Sequence, residues 1–144
     1  MTKQEEAIKL AYVAGLFDGE GSIFIGKQKT DRNKSGLLFR LHIEMCNTNE
    51  LAVRRMQLYF GGSVYERYAD LDTRRTLWSW QLRGQMALEF LKVISPYLRI
   101  KKPQAELAIE FQSRQRLGRY TQSHTNVLDE ANQILMSQMN KGRA

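Results

Sequence analysis

Hydrophobic and polar residues alternate along the segment "LLFRLHIEM", residues 37–45. The apolar side carries Leu37, Phe39, Leu41, Ile43 and Met45, and the other side carries Leu38, Arg40, His42 and Glu44. A period of two is typical of a β-strand that buries one face and leaves the other polar. Three further strands are predicted at 22–29, 63–69 and 76–83, each bounded by turn-forming residues.

Helical patterns precede, separate and follow these strands. Thr2 with Glu5 forms a capping box, which predicts a helix over about 3–18. Asn47, Thr48 and Asn49 offer N-caps for a helix that runs to Phe60 and stops at Gly61-Gly62. Later helices are predicted at 85–98, at 104–117 behind Pro103, and from an N-cap at Asn126 to about 139.

The order of these elements predicts an α+β fold with one four-stranded antiparallel sheet and helices on one face. The opposite face is polar and basic, so it is either solvated or docked on something acidic, such as DNA. The expected organisation is a single domain over 1–144, with a core at about 8–118 and a C-terminal helical extension at about 119–144. Trp78 and Trp80 share one face, for which burial in the core is the default prediction.

Small residues recur every four positions in the first helix, at Ala7, Ala11, Gly15 and Gly19. A mid-helix glycine costs about 1 kcal/mol relative to alanine, and close packing of another helix would offset that cost. The stripe leads to "DGEG", residues 18–21. A carboxylate with exposed carbonyl oxygens suits a hard cation such as Mg²⁺ or Ca²⁺. Two copies of Glu20 that meet across a dimer axis would form a stronger site than one.

Composition sharpens this picture. The chain has 144 residues, 42% of them hydrophobic, and a net charge of +7, which favours a folded nucleic-acid-binding domain over a merely basic soluble protein. Cys46 is the single cysteine, so no intrachain disulfide is possible. No apolar run is long enough to span a membrane, and the first residues lack a signal-peptide layout. We therefore expect an intracellular protein with no membrane partner.

Three segments resemble one known family. "VAGLFDGEG", residues 13–21, resembles the signature of the LAGLIDADG homing endonucleases. "IEMCNTNELAVRRMQLYFGGSVY" is similar to the family's strand, polar turn, helix and Phe-Gly-Gly element, and "YLRIKKPQAEL" to its segment before the penultimate helix. The chain has one copy of the signature. The resemblance therefore implies the single-motif class, which acts as a homodimer. It also implies a fold with the element order α-β-β-α-β-β-α-α, in which a saddle-like sheet has helices on one face and holds double-stranded DNA on the other.

The resemblance also implies roles for individual residues. Glu20 would ligate the metal, although family members more often have aspartate there, and Gly19 would offer its backbone carbonyl. Lys101 would stabilise charge on the cleaved phosphate or tune the attacking water, and Asn47 would order the water network. The implied activity is divalent-metal-dependent hydrolysis that makes a staggered double-strand cut at a long near-palindromic site. Mg²⁺ would be the cofactor; Ca²⁺ would bind without supporting cleavage, and Mn²⁺ could substitute.

Outward-facing and basic positions are the candidates for DNA contact. They are Ser22, Phe24, Gly26, Gln28, Lys29, Thr30, Arg32, Lys34, Leu38, Arg40, His42, Glu44, Glu66, Tyr68, Arg74, Arg75 and Lys102. Lys27 is a further candidate for a phosphate contact. The dimer interface is expected at Ala11, Gly15, Leu16 and Gly19. Asp18 is predicted to tie the helix end to nearby backbone amides.

Several alternatives stay open at this point. His42 is either a DNA contact or a solvated histidine, and Arg114, Arg116 and Arg119 either bind phosphates or form a solvated helix face. The same fold could serve a non-cleaving DNA-binding regulator or a maturase that assists folding of intron RNA. A plain dimeric structural protein is disfavoured by the cation-rich strand face. The expected setting is a bacterial or phage-infected cytoplasm, or an organelle.

Overall fold

The computed structural model describes residues 1–31, 36–70, 72, 75–117 and 122–142, with side chains except at 69–70, 116–117 and 122–126. The elements are α1 (Lys3–Glu20), β1 (Gly21–Lys29), β2 (Leu37–Asn47), α2 (Glu50–Phe60), β3 (Ser63–Asp70), β4 (Arg75–Arg83), α3 (Gly84–Ile94), a 3₁₀ turn (Ser95–Tyr97), α4 (Lys102–Leu117) and α5 (Gln122–Asn140). The predicted α+β fold with one antiparallel sheet is confirmed.

The four strands lie in the order β1-β2-β4-β3, and every neighbouring pair is antiparallel. Residues directly opposite each other in such a pair share one face of the sheet. Ile23 lies opposite Ile43, and Met45 lies opposite Trp80, and all four are buried. The helices cover this face. The other face, which begins with the pairs Ser22–Glu44 and Phe24–His42, is called the open face below.

An aromatic cluster joins the sheet to the helices. The rings of Phe17 on α1 and Trp80 on β4 each meet Phe90 on α3 edge-on, at centroid distances of 5.3 and 5.1 Å. The Trp80 indole donates a 2.8 Å hydrogen bond to the Gly61 carbonyl, which fixes the corner after α2. The predicted burial of Trp80 is confirmed, whereas Trp78 is half-buried beneath the Arg54 guanidinium.

Several element boundaries differ from the sequence prediction, among them those of α1, α3 and α5. α1 continues to Glu20, two residues further than expected. α3 ends at Ile94 rather than 98, because Pro96 lacks the amide that would continue the helix, and the chain tightens into a 3₁₀ turn. α5 begins at Gln122, so Asn126 lies within the helix and is not its N-cap.

α5 packs against the edge strand β1 and against α4. Met136 enters the shared core with 1% exposure, and the Asn140 amide donates a 2.8 Å hydrogen bond to the Ile23 carbonyl. None of the helices among the described residues is both long and apolar enough to cross a membrane.

Two cations that the sequence offered for phosphate contacts serve this packing instead. Lys27 forms an ion pair with Glu130 of α5 at 3.0 Å. The Arg114 guanidinium contacts buried Asp129 at 2.9 Å and the Asn132 side chain at 2.6 Å. Neither alternative for Arg114 is therefore correct, because its side chain is held between α4 and α5. The side chains of Arg116 and Arg119 lie outside the described part of the chain.

Candidate catalytic centre and nucleic-acid interface

The last turn of α1 leads directly into the sheet. The amide of Gly21 caps the helix by donating to the Phe17 carbonyl. A Cβ atom at position 21 would collide with the Phe17 ring, so glycine is needed here for the packing of the core rather than for approach of a ligand. Glu20, the final helical residue, is exposed beside this junction.

Asp18 anchors the segment before α4 to the end of α1. Its two carboxylate oxygens accept hydrogen bonds from the backbone amides of Arg99 and Lys101, each at 2.9 Å. Burial raises the pKa of Asp18, but the backbone donors and the Lys101 charge outweigh it, so the pKa lies below its usual value. The sequence prediction that Asp18 binds nearby backbone amides is confirmed.

The Lys101 side chain folds back onto the same helix end. Its Nζ donates a 2.7 Å hydrogen bond to the backbone carbonyl of Asp18. Gly19 and Glu20 follow immediately in the chain and belong to the last turn, whose carbonyls have no partner within the helix. The structure therefore brings Lys101 to the end of the helix that carries Gly19 and Glu20.

Asn47 lies at the same end of the sheet. Gly21, the first residue of β1, lies opposite Met45, and Asn47 is the second residue beyond Met45 along β2. Its side-chain oxygen accepts a 2.8 Å hydrogen bond from the Asn49 amide, so it helps to form the turn before α2. Asn49, and not Asn47, is the N-cap of α2.

The donor set at this end of α1 fits one mode of metal binding only. Among the described residues, no group of three or more His, Cys, Asp or Glu side chains could hold a metal ion. Mg²⁺ usually keeps several waters and binds through one or two carboxylates together with substrate phosphates. Exposed Glu20 and the adjacent carbonyls suit that mode, and they do not form an all-protein cage.

One face of α1 is left uncovered by the described part of the chain. Ala11, Gly15 and Gly19 are exposed on it, Leu16 is half-buried, and Tyr12 is 67% exposed. A Cβ atom on Gly15 or on Gly19 would meet nothing within 4 Å. No contact within the described chain therefore offsets the cost of these glycines. A groove of about 450 Å³ runs beside this face, between Ala11, Gly15 and the residues 96–99.

Most of the predicted DNA-contact residues on β1 and β2 share the open face. They are Ser22, Phe24, Gly26, Gln28, Leu38, Arg40, His42 and Glu44. Lys29, at the end of β1, alternates with these residues and so lies on the other side of the strand. Thr30 follows the strand, and its backbone amide donates a hydrogen bond to the Gly36 carbonyl. Arg75 and Lys102 are exposed first residues of β4 and α4. Arg32, Lys34 and Arg74 lie outside the described residues.

The predicted facing of β3 is wrong. Glu66 lies opposite Trp78 and Tyr68 opposite Thr76, which places both on the helix-bearing side of the sheet. The cause is Val64, which lies opposite buried Trp80 and packs against the core. Tyr65 and Arg67 consequently occupy the open face, where the Arg67 guanidinium reaches over β4 to the Glu44 carboxylate at 3.4 Å.

Four further residues of this face are absent from the sequence prediction. Tyr65 and Arg67 on β3 and Gln81 and Arg83 on β4 lie across from open-face positions of neighbouring strands. For β4, the segment "WSWQLR" contains a signal that would have predicted its facing. Trp78, Trp80 and Leu82 alternate with polar residues and mark the buried side, so residues 79, 81 and 83 are expected on the open face.

The setting of the Cys46 thiol disfavours a role as a nucleophile. Its Sγ donates to the Glu44 carboxylate at 3.0 Å. Burial and this hydrogen bond raise the pKa of the thiol, which disfavours the reactive thiolate.

Comparison with known proteins places the chain in a family. The family model described as LAGLIDADG endonuclease matches residues 13–99, and the chain therefore belongs to that family. This confirms the resemblance found in the sequence. A comparison with curated proteins finds no match.

Solved structures share the fold at low sequence identity. The homing endonuclease I-CvuI, solved in complex with its target in the presence of Ca, matches with a TM-score of 0.80 and 17% identity, covering 94% of this chain and 83% of that chain. The archaeal intron-encoded homing endonuclease I-Vdi141I, complexed with DNA, has a TM-score of 0.72 and 14% identity, covering 96% and 86%. I-SmaMI bound to cleaved DNA has a TM-score of 0.74 and 14% identity, and this chain spans 45% of its length.

Proposed function

We propose that the protein is a site-specific DNA endonuclease that acts as a homodimer and makes a staggered double-strand cut at a near-palindromic target. The observation that carries the proposal is the joint placement of Lys101 and Glu20 at the end of α1. Asp18 holds the backbone of residues 99 and 101 at 2.9 Å, and the Lys101 Nζ lies 2.7 Å from the Asp18 carbonyl. This arrangement supplies a positioned cation and an exposed carboxylate beside the open face.

Each residue has a distinct role in the proposed reaction. Glu20 and the Gly19 carbonyl would hold Mg²⁺, which when bound supplies a more acidic water and charge neutralisation at the phosphate. Lys101 stabilises negative charge on the cleaved phosphodiester. Asp18 is a positioning residue, because its carboxylate binds the backbone amides of Arg99 and Lys101. The proposed role of Asn47 in ordering water is compatible with its place at this end of the sheet.

Exposed small residues support the homodimer. Ala11, Gly15 and Gly19 let the α1 helices of two copies approach closely, and this contact brings both copies of Glu20 together. The open face would then form one continuous surface for double-stranded DNA, with Arg40 and Arg83 among its exposed cations. The intracellular setting also stays a prediction.

Replacement of Glu20 by glutamine tests the catalytic proposal. Glu20→Gln keeps the size of the side chain but removes its charge, so we expect cleavage to fall by on the order of a thousandfold while specific DNA binding is kept. The measurement is digestion of a randomised duplex library with Mg²⁺ and with chelator, followed by sequencing of the cut ends. Glu110→Gln, an exposed carboxylate on α4, is the matched control and should cut like the wild type.

Two results would redirect the proposal. Cutting by Glu20→Gln at the wild-type rate would remove Glu20 from the catalytic centre. Specific binding by the wild type without any cut would favour the non-cleaving regulator, and assistance of intron RNA splicing without a DNA cut would favour the maturase.

A further inference from the structure

The open face carries an aromatic pair that joins the edge strand β1 to its neighbour β2. Phe24 on β1 and His42 on β2 lie directly opposite each other, with ring centroids 4.9 Å apart and ring planes 3° from parallel. That distance matches the roughly 5 Å spacing of paired residues on neighbouring strands, so the two rings rise side by side from the sheet. Phe24 keeps 36% of its surface exposed.

Gly26 makes room for this pair. A Cβ atom at position 26 would lie 3.3 Å from the Cδ2 and Nε2 atoms of His42, which is tighter than an ordinary contact. Glycine therefore lets the imidazole lean over β1 against Phe24. Three positions on two strands hold the rings in place in the free protein, and a ligand that contacts them does not have to order them.

The pair presents two ring edges to a ligand, and the charged form of the His42 imidazole is disfavoured. Burial lowers the pKa of His42, and the charges of Arg83 and Arg40 lower it further, against the smaller opposing effect of Glu44. These effects favour the neutral form of the His42 imidazole. The neighbouring open-face residues are polar, so the pair is an apolar projection set among hydrogen-bonding groups.

We infer that the Phe24–His42 pair recognises the C5 methyl group of a pyrimidine in the major groove of DNA. The inference rests on the proposed function, because it assumes that the open face binds duplex DNA. The polar edges of bases in the major groove require hydrogen-bond partners, whereas the thymine methyl group requires an apolar surface. The Phe24 ring supplies such a surface and cannot satisfy a donor or an acceptor. The methyl group of 5-methylcytosine has the same position and is recognised in the same way.

Substitution of uracil for thymine isolates the methyl group without changing base pairing. The full-length protein first selects its preferred site from a randomised duplex library, and each thymine of that site is then replaced by uracil. At one position per half-site, we expect uracil to weaken binding about fourfold, the worth of one buried methyl group. In Phe24→Ala, the same replacement should change the dissociation constant by less than about twofold, because the methyl group has lost its partner.

Two controls separate the methyl contact from general damage. Ser22→Ala, on the same face, should retain the full uracil effect. A 5-methylcytosine·guanine pair at that position should bind more tightly than a cytosine·guanine pair in the wild type and equally in Phe24→Ala. Each comparison is made within one variant, so a reduced folded fraction does not mimic the result.

The outcomes are distinguishable. A site whose uracil substitutions all leave binding unchanged, or weaken wild type and Phe24→Ala equally, would overturn this inference and leave the proposed function standing. A library from which no sequence is enriched would overturn both.

Discussion

At the scale of single residues, Asp18 links the fold to the chemistry. It is almost fully buried, at 9% exposure, and both of its carboxylate oxygens accept hydrogen bonds from backbone amides that are 81 and 83 residues away in the chain. A carboxylate is suited to this because it accepts on two oxygens, whereas an asparagine side chain offers one acceptor and two donors. The residue therefore helps to determine where Lys101 lies.

Asp18→Asn should lower the free energy of unfolding by about 2 kcal/mol, since a hydrogen bond to a charged group is worth about 1.5–3 kcal/mol. Cleavage should fall as well, because Lys101 loses its support. Urea unfolding at fixed protein concentration measures the first effect, and a plasmid cleavage assay measures the second. Asp31→Asn, an exposed loop carboxylate, is the control and should change stability by less than about 0.5 kcal/mol.

The effect of Asp18→Asn on the free energy of unfolding should depend on pH. The pKa of Asp18 is lower in the folded state than its ordinary value of 3.8, so the unfolded state binds more protons in that window. The stabilisation is complete above pH 3.8 and is lost as pH falls through the folded-state pKa. The stability difference between wild type and Asp18→Asn should therefore shrink in acid. A difference that stays constant from pH 7 to pH 3 would contradict this account.

At the scale of elements, the uncovered face of α1 separates the stability of one subunit from the assembly of two. Alanine at position 15 would meet nothing within 4 Å among the described residues, so Gly15→Ala should stabilise the isolated subunit by about 1 kcal/mol through helix propensity. The added methyl group should keep a second α1 helix from its closest approach and weaken the dimer. Sedimentation velocity with and without DNA, together with unfolding at low protein concentration, measures both effects.

Gln4→Ala, an exposed position in the first turn of the same helix, is the matched control for this experiment. It should leave dimerisation unchanged. A wild-type protein that remains monomeric even on DNA would refute the paired-helix arrangement, and so would a Gly15→Ala variant that dimerises more tightly.

The elements differ in how well sequence alone predicts them, for a physical reason. β2 alternates strictly because one of its faces is buried and the other polar, and its facing is correct. In β3 the run from Tyr65 to Tyr68 has no aliphatic residue, so Val64 alone marks the buried side and the parity is easily reversed. Charge clusters predict basicity but not partners, which is why the sequence makes Lys27 a candidate for a phosphate contact and leaves Arg114 open between a phosphate contact and a solvated helix face. Their acids, Glu130 and Asp129, reach them only through tertiary packing of α5.

The candidate site shows the same limit. The "DGEG" segment makes Glu20 a candidate metal ligand, which stays a prediction, whereas the prediction that Asp18 binds backbone amides is confirmed. The contact of the Lys101 side chain with the α1 carbonyl joins positions 83 residues apart, and no local pattern indicates it.

At the scale of the whole molecule, the net charge of +7 acts through its distribution. Lys102 is exposed at the start of α4, next to Lys101, whereas Lys27 is committed to Glu130 on the helix-bearing side. Both lysines add equally to the net charge. Only a cation that meets a phosphate releases counterions when DNA binds, so the two should differ in their effect on the salt dependence of affinity.

We therefore expect the logarithm of affinity to fall linearly with the logarithm of salt concentration, with a loss of about a thousandfold or more between 50 and 200 mM if the dimer makes six or more phosphate contacts. Lys102→Ala should reduce the slope by about 1 per subunit and weaken all sequences alike, whereas Lys27→Ala should leave the slope unchanged. Fluorescence anisotropy titrations of the selected duplex at several salt concentrations measure this. A defined basic surface that binds phosphates would be affected by loss of Lys102, beside the proposed catalytic centre, and not by loss of Lys27, which is paired with Glu130 behind the sheet. Equal changes of slope in the two variants would therefore mean that DNA responds only to the overall charge of the protein.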